Sequence, residues 1–320
     1  MHTEQVRHEG LPHDASRHAS SLPRHCSTYG TQGLIDRPLY QGLAASVGVF
    51  RCPVTHPMFR NSGPAERCIV VFPRTSVWIH HEGSRPFVAD PNVVTIYNRA
   101  QCYERSPLAP DGDRCDWLGV SDDVARDIVG AFDSADGERA RGPFGFEYAP
   151  STPELYLKQR RLLRRVANGS AVPLEVESEV VTLVEQVMAA AYHRQLEPSP
   201  VLPATARRRR DIVELAKAEL WSSMAENRSL RDIAQSVGTS VFHLCRIFRD
   251  VTHQSLHAYR LGLRLRVALE RLAQERGTLA SVAADLGFAG HAHLVRLCQR
   301  HYGAPPSALR AQLRNRTTSQ

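Results

Sequence analysis

The fold of this chain is decided by the stretch Leu230-Arg-Asp-Ile-Ala234-Gln-Ser-Val-Gly238-Thr-Ser240-Val-Phe-His-Leu244-Cys-Arg246-Ile-Phe248, because its pattern recurs further on. The second copy reads Leu279-Ala-Ser-Val-Ala283-Ala-Asp-Leu-Gly287-Phe-Ala-Gly-His-Ala-His-Leu294-Val-Arg296-Leu. Four residues lead from the alanine to the glycine in both copies, and eight or nine lead from the glycine to the arginine. The repeat predicts two helix-turn-helix units, over 229–250 and 278–300.

The residue types within each copy suit a short helix, a tight turn and a second helix. Ser229 can cap the first helix, and Asp232 then lies near the positive end of its dipole. Gly238 and Gly287 can adopt the left-handed conformation that ends a helix and turns the chain. Ser240 can cap the next helix. Apolar residues at helical spacing predict the buried side of each second helix, namely Leu244, Ile247 and Phe248, then Leu294, Leu297 and Cys298.

The remaining positions of each second helix face outward, and a helix-turn-helix places such a face in the DNA major groove. Arg246 and Arg296 suit bidentate hydrogen bonding to guanine, with a phosphate contact as the alternative. The predicted DNA-contacting residues are Ser240, Val241, Phe242, His243, Cys245, Arg246 and Arg249 in the first unit, and Gly290, His291, His293, Arg296 and Arg300 in the second.

This pattern resembles the AraC/XylS family of bacterial transcription regulators from about Arg208 to Arg310. Residues 255–272 resemble the family's long connecting helix, and 303–310 resemble its Gly-x-x-Pro-x-x-Tyr-Arg ending. His253 stands where the family usually has glycine. The resemblance implies a sequence-specific regulator, most often an activator, that binds promoter or operator double-stranded DNA as a homodimer and, as an activator, contacts RNA polymerase. It also supports base contact by Arg246 and Arg296.

The charge distribution agrees with a DNA-binding second half. The chain is formally +7, but residues from 201 onward hold 19 Lys and Arg against 9 Asp and Glu, so the remainder is net negative. Phosphate contacts require such cations. The run Arg207-Arg-Arg-Arg210 is interpreted as a solvated helix start, with a phosphate-contacting arm as the alternative. An architectural DNA-binding protein without sequence preference is a further alternative.

The predicted fold class is multidomain α+β, with a cupin-like N-terminal β-barrel and flanking helices before an all-α domain whose two units share a long helix. Strand-like runs between turn signals predict the barrel. Helices at 153–166 and 175–195 pack on it or form a dimer seam. The predicted domains are a disordered segment at 1–38, a regulatory domain at 39–195, a linker at 196–206 whose prolines keep the domains apart, a DNA-binding domain at 207–312 and a tail at 313–320.

Large side chains in the barrel are candidates for contact with a small-molecule effector, although core filling is the alternative for each. Adjacent His80 and His81 point to opposite faces of a strand, unlike the His-x-His of metal-binding cupins. We therefore expect no metal, no other cofactor and no enzyme activity. The alternative is a metal-dependent cupin enzyme fused to a DNA-binding domain. The effector candidates are His56, Trp78, His80, Tyr97, Tyr103 and Trp117.

Two absences bear on cellular location. The seven cysteines form no Cys-x-x-Cys pair, and their odd number without a secretory signal indicates reduced thiols. No run of about 18 apolar residues occurs, so no membrane association is expected. Both observations predict a cytoplasmic protein.

Overall fold

Within the residues that the computed structural model describes (33–133, 142–195, 203–274 and 277–313), ten strands form two antiparallel sheets. The six-stranded sheet has the order β1-β2-β9-β4-β7-β10, and the four-stranded sheet has the order β3-β8-β5-β6. The strands are β1 (Ile35–Gln41), β2 (Ala45–Cys52), β3 (Asn61–Ser62), β4 (Cys68–Pro73), β5 (Val77–His81), β6 (Phe87–Ala89), β7 (Val93–Tyr97), β8 (Tyr103–Pro107), β9 (Asp113–Val120) and β10 (Tyr148–Pro150).

The two sheets face each other, because alternate residues of each point into a shared layer. Arg105 on β8 crosses this layer and donates to Asp113 on β9 at 2.6 Å. Tyr97 and Tyr103, also from opposite sheets, have ring centroids 4.6 Å apart. The predicted β domain is confirmed, although the described strands form two sheets rather than one closed barrel. β1 begins at Ile35, so the predicted disordered segment is wrong for 35–38, while residues 1–32 lie outside the described part.

Three helices cover the outer face of the six-stranded sheet: α1 (Asp122–Gly130), α2 (Pro153–Ala167) and α3 (Pro173–Gln195). Buried residues such as Val70, Leu118 and Val184 form one continuous core between sheet and helices. The packing of α2 and α3 on the β domain is thus confirmed, and their use as a dimer seam stays a prediction.

Seven helices follow: α4 (Pro203–Ser222), α5 (Leu230–Ser236), α6 (Val241–Thr252), α7 (Leu256–Ala273), α8 (Leu279–Asp285), α9 (His291–Tyr302) and α10 (Pro306–Leu313). Residues 196–202 of the predicted linker, and 314–320 of the tail, lie outside the described part. Residues 203–206 already belong to α4. None of the helices within the described ranges has the length and apolarity that crossing a bilayer requires.

The helical region packs directly against the β domain, so the prediction that the prolines keep the two apart is wrong. Four buried or nearly buried charges meet at this contact, and we call Arg74, Asp116, Arg160 and Glu270 the interdomain ion cluster. Arg160 contacts Glu270 of α7 at 2.6 Å and Asp116 of β9 at 2.7 Å. Arg74 also contacts both carboxylates, and Tyr156 donates to Glu270 at 3.1 Å.

A second buried contact joins α7 to the segment between β6 and β7 of the β domain. Tyr259 of α7 donates its hydroxyl to Asp90 at 2.8 Å, and Asn92 donates to the Tyr259 carbonyl at 2.9 Å. Arg266 donates to the Asn92 side chain at 2.7 Å. Because α7 joins the two helix-turn-helix units, both contacts hold this connecting helix on the β domain.

The end of α6 shows how the chain accommodates His253 where the family usually has glycine. His253 has φ +58°, and Gly303, at the same place after α9, has φ +69°. A side chain in this conformation is strained, so His253→Gly is expected to raise the free energy of unfolding by about 1 kcal/mol. Urea denaturation measures this change. Gly303→Ala should shift stability the opposite way, and a destabilised His253→Gly variant would contradict the explanation.

Candidate nucleic-acid interface

The first helix-turn-helix unit is formed by local hydrogen bonds that its sequence predicts. Ser229 and Asp232 form a reciprocal capping box at the start of α5, with distances of 3.2 and 3.0 Å. The Ser229 hydroxyl, which also donates to Asp232 Oδ2 at 2.8 Å, lowers the pKa of the Asp232 carboxyl, and the Ser229 N–H adds to this effect. Gly238 turns the chain at φ +66°, and Ser240 Oγ then accepts from the His243 N–H at 3.2 Å. The predicted caps of α5 and α6 are thus confirmed.

The second unit has a turn one residue longer and begins its recognition helix differently. Gly287 has φ +69°, and Gly290 precedes α9 at φ +137° without a side-chain cap. His293 instead connects the turn to the first turn of α9, because its Nδ1 accepts from the N–H of Ala289, which precedes Gly290, at 3.3 Å. Its ring also lies edge-on to Phe288, with centroids 6.0 Å apart. His293 therefore has a structural role in this turn.

The outward faces of α6 and α9 have the same sequence of buried, half-buried and exposed positions over 241–250 and 291–300. The predicted core residues of both helices are buried. Of the predicted contacts, Gly290, His243, Cys245 and His293 are half-buried. The exposed ones are Ser240, Val241, Phe242, Arg246, Arg249, His291, Arg296 and Arg300. Their contacts with bases or phosphates stay predictions.

Two features of this surface suit DNA. Within the described ranges, no carboxylate lies within salt-bridge distance of Arg246 or Arg296, so their guanidinium groups are free for another acceptor. Phe242 is 78% exposed, which is unusual for a phenylalanine on a helix that is otherwise packed on a core. An exposed aromatic side chain beside a free arginine provides apolar contact and a hydrogen-bond fork on one face.

The six predicted effector residues lie in three different places. Tyr97, Tyr103 and Trp117 come together between the sheets, around buried Val71 and Cys115. Trp78 and His80 lie on the opposite face of β5, because Val77, Ile79 and His81 occupy its inward positions. His56 caps a 3₁₀ turn through its Nδ1, which accepts from the Met58 N–H at 3.2 Å. The described residues contain no group of three or more His, Cys, Asp or Glu arranged to hold a metal.

His81 is the inward histidine that the sequence interpretation did not select, although strand alternation from buried Val77 would have identified it. Its ring lies 4.8 Å from that of Tyr97 and 5.6 Å from that of Phe87. Burial, with a smaller contribution from His80, lowers the pKa of His81 to about 4. The imidazole is therefore neutral in the folded protein at neutral pH.

The stability of the β domain should consequently fall on mild acidification. Between pH 6.5 and 4 the unfolded chain binds a proton at His81 that the folded chain does not, so the free energy of unfolding decreases as the pH falls through this window. Urea denaturation at several pH values measures the slope. His81→Phe should reduce it, whereas His80→Gln is the control on the opposite face. An unchanged slope in His81→Phe would contradict the prediction.

Comparison with known proteins shows which family the helical region is similar to. A family model described as a helix-turn-helix domain matches residues 233–312. The regulatory protein SoxS of Salmonella typhimurium is 33% identical over 81 residues, which are 25% of this chain and 76% of SoxS. The chain belongs to the AraC/XylS family. The HTH-type transcriptional regulator RipA of Corynebacterium glutamicum is 36% identical over 110 residues, which are 34% of this chain and only 31% of RipA.

Solved structures also align with this chain. ToxT from Vibrio cholerae aligns with 85% of this chain and 98% of its own, at 10% identity and a TM-score of 0.35. The family assignment depends on the family model over residues 233–312 and on the match to SoxS.

Cys245 provides a chemical test of the surface on α6. Cys245 is half-buried and Cys102, in the β domain, is exposed, whereas Cys52, Cys68, Cys115 and Cys298 are buried, and burial raises the pKa of Cys68 to about 11 and that of Cys298 to about 12. Alkylation of the native protein should therefore reach both Cys102 and Cys245, and modification of Cys245 should weaken DNA binding by obstructing the predicted DNA-contacting face of α6. Titration of DNA before and after N-ethylmaleimide measures the loss. Cys245→Ser should resist it, and full affinity after complete alkylation of Cys245 would refute the prediction.

Proposed function

We propose that this protein is a sequence-specific transcription regulator whose two units read adjacent segments of the major groove. The observation that carries the proposal is the matched pair of outward faces on α6 and α9, each with an exposed arginine that has no carboxylate partner within the described residues. Arg246 and Arg296 hydrogen-bond to guanine edges, and neighbouring cations contact phosphates.

The β domain supplies regulation in this proposal. A small apolar or aromatic effector binds between the sheets, beside Tyr97, Tyr103 and half-buried Trp117. An effector shifts activity only by binding two conformations unequally. The contacts of α7 with the β domain offer a route by which this difference reaches both units. The protein acts as a homodimer and activates transcription with RNA polymerase, which is the usual behaviour of the family.

Genome-wide footprinting of the purified chain on DNA from its source organism tests the proposal. Discrete sites, each with two protected blocks about one helical turn apart, are the expected result. Raising the salt concentration should weaken binding at all sites, because phosphate contacts release counterions. Diffuse binding that stays sequence-independent at every salt concentration, with and without extracts that contain candidate effectors, would overturn the proposal in favour of an architectural role.

A further inference from the structure

Arg264, near the middle of α7, contacts at once the segment that leads into the first helix-turn-helix unit and the turn of the second unit. Its Nε and Nη2 donate to the Met224 carbonyl at 3.0 and 2.8 Å, in the segment that connects α4 to α5 of the first unit. Its Nη2 also donates to the Glu226 carbonyl at 3.2 Å and to Asn227 Oδ1 at 3.0 Å. Its Nη1 reaches the second unit and donates to the Gly287 carbonyl at 2.8 Å.

The Gly287 backbone packs closely against Arg264, whereas the space beside Gly238 is open. A Cβ atom at Gly287 would lie 2.7 Å from Arg264 Nη2 and 2.9 Å from the Ala225 carbonyl oxygen, whereas one at Gly238 would meet nothing within 4 Å. The turn of the second unit is therefore packed through Arg264 against the segment that leads into the first unit, whereas the turn of the first unit is open. Arg264 itself is buried, and its hydrogen bonds to Met224, Glu226, Asn227 and Gly287 all go to carbonyl or amide oxygens.

We infer that Arg264 is a positioning residue that fixes the distance and rotation between α6 and α9. The inference rests on the proposed function. The guanidinium is a rigid planar fork, so one side chain can hold two backbone segments in a single geometry. The distance and rotation between α6 and α9 must match those between two groove segments on DNA. One inserted base pair rotates the next groove segment by about 35° and moves it by about 3.4 Å. A fixed pair of helices therefore accepts one spacing between its two base blocks.

Arg260 is the matched control on the same helix. Both of its terminal nitrogens donate to the Arg228 carbonyl at 3.1 Å, so these hydrogen bonds involve the α4–α5 connection and not the second unit. Arg260→Gln and Arg264→Gln remove the same charge from α7 and break hydrogen bonds to the same α4–α5 connection. Only the second variant disconnects Gly287.

The experiment measures affinity for a DNA series built on the strongest footprinted site, with its two blocks at natural spacing, with one base pair inserted or deleted, and with either block scrambled. The wild-type chain should prefer the natural spacing by about tenfold or more, because simultaneous engagement of both units supplies the avidity. Arg264→Gln should bind natural-spacing DNA about tenfold more weakly, lose most of the spacing preference and bind single-block DNA as the wild type does. Arg264→Lys should be intermediate, and Arg260→Gln should keep the wild-type spacing profile.

The outcomes separate this inference from the function on which it rests. Wild-type protein that protects no discrete blocks would overturn the proposed function and the inference together. Two protected blocks in the wild type, with an unchanged spacing profile in Arg264→Gln, would overturn the inference alone. An equal loss on single-block and two-block DNA in both Arg264 variants would assign the residue to the fold of one unit and would also overturn it.

Discussion

Removal of the two exposed arginines of α6 and α9, Arg246→Ala with Arg296→Ala, is expected to abolish discrimination between a footprinted site and random DNA. Each arginine that hydrogen-bonds to a guanine contributes about 1–3 kcal/mol of discrimination, and the losses should add because the residues belong to separate units. Fluorescence anisotropy at fixed salt concentration measures the affinities of the single and double variants. Each single variant should also relax the base preference at one position within one block.

The control for lost charge is Arg51→Ala, which removes an exposed arginine from β2 in the other domain. This variant should bind specific and random DNA as the wild type does. If Arg246→Ala weakens binding equally on every sequence and lowers the salt dependence by about one counterion, Arg246 contacts a phosphate, and the base-reading role is refuted.

Glu270→Ala is expected to be the most destabilising single substitution in the contact between the domains. It leaves Arg74 and Arg160 of the interdomain ion cluster with one carboxylate, Asp116, in a buried site. Breaking a buried ion pair by removing one partner costs about 3–5 kcal/mol, which corresponds to a fall in Tm of roughly 10 °C in a chain of this size. Thermal and urea denaturation measure the loss.

The exposed pair between Arg271 and Asp285 offers the matched comparison, since its charges lie 2.8 Å apart in solvent. Asp285→Ala should cost no more than about 1 kcal/mol. Burial alone would raise the pKa of Glu270, but Arg160 and Arg74 hold it below its ordinary value. Its stabilising effect is therefore present at neutral pH and is lost as the pH falls through that lowered value. A Glu270→Ala variant as stable as Asp285→Ala would refute the account of the cluster.

Local sequence signals predict the helix-turn-helix units well, because each depends on residues a few positions apart. Ser229, Gly238 and Ser240 act within one turn of their partners, and these positions behave as their chemistry predicts. Strand alternation is equally local, and it would have replaced His80 with His81 among the inward residues of β5. β6 and β10 have three residues each, which is too few to give a periodic pattern in the sequence.

The contacts between the domains could not be predicted in the same way. Arg74 and Glu270 are 196 positions apart, and nothing in the neighbouring sequence of either marks the other as its partner. Arg264 has the same property, since an arginine on a helix is ordinarily read as a solvated charge. Its role becomes visible only when the carbonyls of Met224 and Gly287 are seen on either side of it.

Helices α6 and α9 have the same pattern of buried and exposed positions, but their exposed side chains differ, and this difference should make the DNA site asymmetric. Phe242 corresponds to Ala292, and Asp250 corresponds to Arg300, so the two outward faces differ in bulk and in the sign of a charge. Under the proposed function the two base blocks that α6 and α9 contact are consequently unlike, and one subunit should bind its site unequally in the two orientations. Inverting a site in place, with its composition unchanged, should preserve affinity but turn the β domain toward the other end of the promoter. Regulation by this protein should therefore depend on which way its site points.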